Sequence, residues 1–398
     1  MNIFNDDFKS EYSPIFVPNA PIKDYSAYIR PQDDPIAIEN GKKCVEEINA
    51  DFVCDLEKND VYAKANGGAP DLMCHVSTFY IINGIIYATY YASETCAAEN
   101  PVNQEARLAV RPLDAKIDEP SKIFTVQKAG DTLSGRKITK VYDTVSAYTG
   151  GDIIFVLWTA QVENNYYRLY REFNIKTEKF GEIKVCRIKV GGVTNDFSTS
   201  GIISALAANK IPQKRTFEDI GIMQKFTPRT ENGKIHYYTG AYSGYLTFIV
   251  KTADFITWEY VSAPDFINFS LWENSTYLRG DKAYYFTRQS DCSYGFLTVY
   301  DVVKNEWQTP VLIADCSSRA DFFEYKGRLY LVNAPKNREG FAVTLIDEND
   351  ISKSRPVVFA DLKTSLFYSF VQIYKGKAYI SYTVDRKHIR LSRFTVPQ

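Results

Sequence analysis

A hairpin that keeps returning constrains this chain more than any other feature. Cys74 to Ile82 and Ile85 to Tyr91 read as two β-strands joined by a tight Asn83-Gly84 turn, and Asn-Gly between apolar, aromatic-rich segments is a strong short-range hairpin signal. Five later units repeat the order of strand, glycine turn, aromatic strand, polar loop and third strand. Their turn glycines, with the first, are Gly84, Gly151, Gly233, Gly280, Gly327 and Gly376, which stand 67, 82, 47, 47 and 49 residues apart. Repeats near 45–50 residues are those of propeller blades. The expected fold is all-β, a six-bladed β-propeller of four-stranded antiparallel blades. Seven or five blades, or a β-sandwich pair, are the alternatives.

The wide early gaps leave inserts near 112–140 and 190–218. In the second, Ser198 is an N-cap candidate followed by Ile202, Ile203, Leu206 and Ala207, the pattern of a short helix. Residues 71–398 are read as a single propeller domain. Residues 1–70 carry Pro14, Pro18, Pro21, Pro31 and Pro35, with helical or strand character only from Ile36 to Ile48. They are read as a lead-in wrapped on the main body. A segment of it would close the last blade, because His388 to Val396 would otherwise be an open edge.

With 47 basic and 48 acidic residues, the chain has no basic excess of the kind a nucleic-acid-binding domain shows. No apolar stretch reaches membrane-spanning length, and Met1 to Asp7 lacks the basic start and apolar run of a signal peptide. A soluble cytoplasmic protein is expected, or a secreted or periplasmic one whose signal peptide has been removed. Seven cysteines without CxxC pairs or even spacing read as free thiols. No P-loop, dinucleotide fingerprint, HExxH, GxSxG or EF-hand pattern occurs, so no cofactor is expected, and a structural calcium stays open. The 29 tyrosines and 25 phenylalanines can stack on sugars but more commonly fill cores, and neither a nucleic-acid nor a membrane partner is expected.

In a propeller the first strands of the blades line a central channel. Aligned on their turn glycines, the units bring His75, Asp143, Gln224, Trp272, Arg319 and Tyr368 to one height at its mouth. This ring holds an acid, a base, a cation, a phenol, an amide and a stacking surface. Loops at 92–106, 160–166, 240–245, 287–295, 334–340 and 383–388 would wall the pocket, with Arg107 and Arg168 at its rim. Each residue also has a structural alternative: a hydrogen-bonded histidine, a core tyrosine, an Arg319–Asp321 salt bridge, a tryptophan plug between blades. His236 is read as packing between blades, and His388 as solvated.

Units one and six resemble the first and last blades of the sialidase-like propellers. His75-Val76-Ser77, running up to Asn83-Gly84, lies where that superfamily has its Arg-Ile-Pro and first turn. Tyr368-Ser369, before Gly376 and Ile380-Ser381-Tyr382, lies where it has the nucleophilic tyrosine. Thr252-Ala253-Asp254-Phe255-Ile256-Thr257-Trp258 is similar to its Ser-x-Asp-x-x-x-Trp hairpins. The resemblance would give His75 the place of a carboxylate-gripping arginine, and the glutamate expected near Tyr382-Thr383 to activate the tyrosine is absent. A first-blade histidine is also similar to families that cleave rhamnose–glucuronate or ulvan-type linkages, in which His, Tyr and Arg serve elimination or hydrolysis.

Elimination from a 4-linked uronate needs donors for the carboxylate, a base for the C5 proton and an acid for the leaving oxygen. Arg319 with Arg107 or Arg168 could hold the carboxylate, His75 be the base and Tyr368 the acid, with Gln224 and Trp272 contacting the sugar. Hydrolysis would instead use His75 or Asp143 as acid or base and a carboxylate pair, of which the ring supplies only Asp143. The expected function is thus a carbohydrate-active enzyme, lyase or glycoside hydrolase, acting on an acidic or deoxy-sugar glycan. A propeller that binds a glycan or a protein without catalysis is the alternative.

Overall fold

The computed structural model describes residues 2–5, 30–50, 53–57, 71–116, 119–213, 219–244, 246–264, 271–289, 294–314, 316, 318–335 and 338–397. Its hairpins turn where the glycines stand. At Asn83-Gly84, Asn232-Gly233, Lys326-Gly327 and Lys375-Gly376 both turn residues have positive φ, the two-residue geometry whose twist matches that of the flanking strands.

The described strands pair into six sheets. Their first strands lie within Met73–Ile82, Arg136–Tyr148, Ile220–Ile222, Leu271–Arg279, Asp321–Tyr325 and Leu366–Tyr374, and their second within Ile85–Ser93, Ile153–Val162, Lys234–Ser243, Lys282–Gln289, Arg328–Asn333 and Lys377–Val384. Three sheets have four strands; the others carry short additions. The third sheet gains Arg187–Val190, which runs parallel to Thr257–Ser262, from the insert near 190–218. The same insert holds the helix Thr199–Ala208, capped by Ser198 through Gly201 N. From the N-terminal segment, Val53–Glu57 pairs antiparallel with His388–Phe394 of the sixth sheet. The helix Pro35–Ala50 lays Cys44 and Ile48 on the fifth and sixth sheets.

Six apolar clusters close the ring, each between two successive sheets. Trp158 and Leu169 meet Ile82 and Leu108 between the first and second. Phe248 and Trp258 meet Leu157 and Tyr170 between the second and third. Tyr238 meets Tyr285 between the third and fourth, Phe286 meets Phe322 between the fourth and fifth, and Val343 meets Ile380 between the fifth and sixth. Phe370 and Leu391 of the sixth then pack on Phe79 and Tyr90 of the first. Burial on both faces of every sheet, which the near-continuous apolar runs allow, makes the assembly a β-propeller. Among the described residues no helix is long and apolar enough to cross a membrane.

Candidate functional site

The first strands share a distortion near the channel mouth. Register slips by a residue or more between His75 and Thr78, Tyr142 and Val145, Leu271 and Asn274, and Phe367 and Phe370. In three of these bulges, and at Lys225 of the third sheet, a residue other than glycine is left-handed: Val76 at φ 53°, Asp143 at 50°, Lys225 at 72° and Tyr368 at 52°. All four stand eight positions before their turn glycines. A β-branched valine in this region is a true outlier, and strain of this kind clusters at functional sites.

Tyr368 and the cations around it form the core of the mouth. The Tyr368 hydroxyl donates to Glu273 Oε2 at 3.3 Å and accepts from Arg288 Nη1 at 3.1 Å. Arg288 also pairs with Glu273. Arg319 lies with its guanidinium 5.0 Å from the Tyr368 ring centre, and its Nη2 reaches Asp143 Oδ1 at 2.6 Å and Glu273 Oε1 at 3.2 Å. Arg168 holds the other Asp143 oxygen at 3.0 Å. Asp143 therefore has both oxygens bound by arginines. Arg319, 2% exposed, keeps Nε and Nη1 without partners among the described residues. Arg338 lies over the Phe367 ring at 4.9 Å; among the described residues it has no carboxylate partner, and burial lowers its pKa. Burial, with the nearby Glu273 charge, pushes the Tyr368 phenol up to about 12.

His75 is fully buried and stacks on Tyr368 at 4.7 Å. Its Nδ1 lies 3.1 Å from Thr383 Oγ1, which also accepts the Val76 amide at 3.2 Å. The Thr383 hydroxyl can donate to Nδ1 or accept from it, according to the tautomer of the ring. Nε2 meets no partner among the described residues. Burial first, then Arg386, Arg319, Arg338 and Arg288, hold the imidazole well below its ordinary pKa. These surroundings favour the neutral ring.

Of the residues expected at the mouth, His75, Tyr368, Asp143, Arg168 and Arg319 are gathered there. Gln224 is buried and donates to Ala320 O at 3.4 Å, beside Arg319. Arg107 is engaged elsewhere: Asp71, Glu94 and Glu105 surround its guanidinium. Trp272 belongs to the strand Leu271–Arg279, and its side chain lies outside the described residues. His236 has Nδ1 3.7 Å from Glu231 Oε2, and His388 opens its strand half-buried. Glu273, Arg288 and Arg338 were not singled out. Arg288 and Arg338 come from two of the loops expected to wall the pocket, and Glu273 supplies the tyrosine-bound glutamate that the stretch Tyr382-Thr383 lacks. Among the described residues no three His, Cys, Asp or Glu side chains gather as a metal set.

No protein-family model and no curated protein matches the chain. Among solved structures, the sialidase of Trypanosoma rangeli matches with TM-score 0.52 and 13% identity over 86% of this chain and 57% of its own, both in complex with sialic acid and with 2,3-difluorosialic acid as a covalent intermediate. The leech intramolecular trans-sialidase, complexed with 2,7-anhydro-Neu5Ac, matches with TM-score 0.50 and 11% identity over 81% of this chain and 68% of its own. The chain thus spans less than three fifths of the trypanosomal sialidase. At such identities the likeness concerns fold alone. The ring of sheets and these matches together give the chain the sialidase-like β-propeller fold.

Proposed function

We propose that this protein is a glycoside hydrolase acting on an acidic sugar at the channel mouth, and that each of its six sheets is one blade. The observation that carries this reading is the Tyr368–Glu273 hydrogen bond, set among Arg288, Arg319 and Arg338. A phenol with a pKa near 12 is a poor nucleophile until a base takes its proton as it attacks. Glu273 is that base, and the Arg288 and Arg319 charges favour the phenolate in the transition state. Arg338, which has no carboxylate partner among the described residues, takes the sugar's anionic group. His75 meets the substrate through Nε2, which has no partner among the described residues. A trypanosomal sialidase of similar fold, bound to an acidic sugar and trapped as a covalent intermediate, is consistent with this division of roles.

The test is a panel of 4-methylumbelliferyl glycosides of uronic and nonulosonic acids, together with acidic polysaccharides. Fluorophore or reducing-end release by the wild type and its loss in Tyr368→Phe are expected. Ultraviolet absorbance from an unsaturated uronate product would instead mean elimination. Binding without turnover of any compound would leave a glycan-binding propeller.

A further inference from the structure

Below the mouth, the third, fifth and sixth sheets are tied to one another inside the channel. Lys225, whose backbone is left-handed at φ 72°, sends its side chain across from the third sheet. Its Nζ donates to Val371 O of the sixth sheet at 2.6 Å, lies 3.1 Å from Asp321 Oδ2 of the fifth, and sits 4.2 Å from the Phe370 ring centre. The same Asp321 oxygen accepts the Val371 amide at 2.9 Å. Carboxylate and ammonium thus engage the N–H and C=O of Val371 as a neighbouring strand would. Beside them Gln224 of the third sheet donates to Ala320 O at 3.4 Å. Asp321 stands two positions after Arg319, and Val371 three after Tyr368, each on the way to its turn glycine. The tie is therefore a floor beneath Arg319 and Tyr368, and it holds the spacing of the segments that carry them.

Asp321 is fully buried, and its Oδ1 has no partner among the described residues. The titratable groups near it are Lys225 from the third sheet, Tyr80 from the first and Tyr277 from the fourth. The sixth sheet presents Val371 and its own second strand Val332, and Arg319 precedes it on its own segment. Burial, against the Lys225 charge and the hydrogen bonds from Lys225 and the Val371 and Phe322 amides, raises the carboxyl to about 6. This lies above the ordinary 3.8, so the folded chain holds the proton more tightly than the unfolded one, and this group's contribution to stability falls as pH rises from 3.8 to about 6. Above that pH the charge is kept at a cost to folding, and a buried ion pair is in any case weak evidence of a stabilising role. What the ionised pair supplies is position.

We propose that Lys225 and Asp321 are positioning residues that lock the third, fifth and sixth sheets beneath Tyr368 and Arg319 while Asp321 is ionised, and that protonation of Asp321 releases the lock. Neutral Asp321 leaves the Lys225 ammonium, whose side chain is 16% exposed, with the Val371 carbonyl and the Phe370 ring but no counter-charge. Water then competes for the ammonium, and the three segments lose their common anchor. The lock stands whatever reaction the mouth performs; its effect on turnover rests on the hydrolase reading above.

Hydrogen exchange read by mass spectrometry, corrected for the intrinsic pH dependence of exchange, tests the lock without a substrate. From about pH 8 to about pH 5, protection of the wild-type peptides holding Asp321–Tyr325 and Leu366–Tyr374 should fall about tenfold, with a midpoint near 6. The peptide holding Ile153–Val162 of the second sheet is the control and should not change. Asp321→Asn should show the low protection throughout, with no step. Lys225→Met, which leaves Asp321 in place, should do the same and decides the matter if Asp321→Asn does not fold. On a compound that the wild type turns over, KM should rise through the same midpoint, since only the locked fraction binds well, and Asp321→Asn should keep the raised KM at alkaline pH. Flat wild-type protection, or a step that survives unchanged in either variant, overturns the lock. A panel without turnover overturns the hydrolase reading alone, because exchange still decides the lock.

Discussion

Removing a single oxygen separates a catalytic Tyr368 from a structural one. In Tyr368→Phe the ring stays, so the His75 stack at 4.7 Å and the Arg319 contact at 5.0 Å persist. The hydroxyl's bond to Glu273 at 3.3 Å and from Arg288 at 3.1 Å are lost. Neither partner becomes an isolated buried charge, since Arg288 still pairs with Glu273 and Glu273 with Arg319. The net cost of such hydrogen bonds is about 1 kcal/mol. A lost nucleophile costs far more: a fall in turnover of at least about a thousandfold is about 4 kcal/mol of barrier. Denaturant unfolding reads the first number, and kcat on the best compound of the panel reads the second. Mass spectrometry of acid-quenched wild type should place a glycosyl adduct within the peptide holding Leu366–Tyr374. Turnover within tenfold of wild type, or an adduct elsewhere, would refute the role of Tyr368.

Three further perturbations test the surroundings. Arg319→Met takes one of two partners from both Asp143 and Glu273 and should cost about 3 kcal/mol of stability, as breaking a buried charge network does; a loss under about 1 kcal/mol would mean solvent or Arg168 and Arg288 compensate. His75 is held below its ordinary 6.5, so the folded chain refuses a proton that the unfolded chain takes. Its contribution is present above pH 6.5 and is lost as pH falls from there through the folded pKa, so denaturant midpoints should drop on acidification in wild type and less in His75→Asn; equal slopes would sink this. Val76→Gly should cost only about 1–2 kcal/mol, because release of about 1–2 kcal/mol of left-handed strain offsets part of about 2 kcal/mol of lost apolar burial and about 1 kcal/mol of glycine chain entropy. Val156→Gly, buried in an ordinary strand, has no strain to release and should cost about 3 kcal/mol by the same unfolding assay.

The ring of sheets was legible because its signals are local: a positive-φ pair at Asn83-Gly84 or Asn232-Gly233, apolar strands on either side, and a spacing that returns. The pairing of Val53–Glu57 with His388–Phe394 has no such signal, since five residues with a partner more than 300 positions away leave no periodicity of their own. The site was half legible for a related reason. Counting eight residues back from the turn glycines lands on Val76, Asp143, Lys225 and Tyr368, which the backbone treats alike, but nothing in a valine or a lysine announces a left-handed conformation. A bulge adds a residue and so turns the next side chain to the other face. Glu273, seven before Gly280, is therefore the residue presented to Tyr368, where a regular strand would have given weight to its neighbour Trp272.

The bulges also explain why the chemistry collects where it does. Each interrupts a ladder at the mouth and releases amides and carbonyls that side chains then engage: the Val76 amide goes to Thr383 Oγ1, and the Asp143 carbonyl to Arg168 Nη1 at 2.7 Å. Thr383 in turn meets His75 Nδ1, and Arg168 fixes Asp143, which holds Arg319 under the Tyr368 ring. Strain in the first strands and order among the arginines are thus one arrangement. A substitution that restores regular pairing at Asp143 should loosen Arg319 and Tyr368 without touching either.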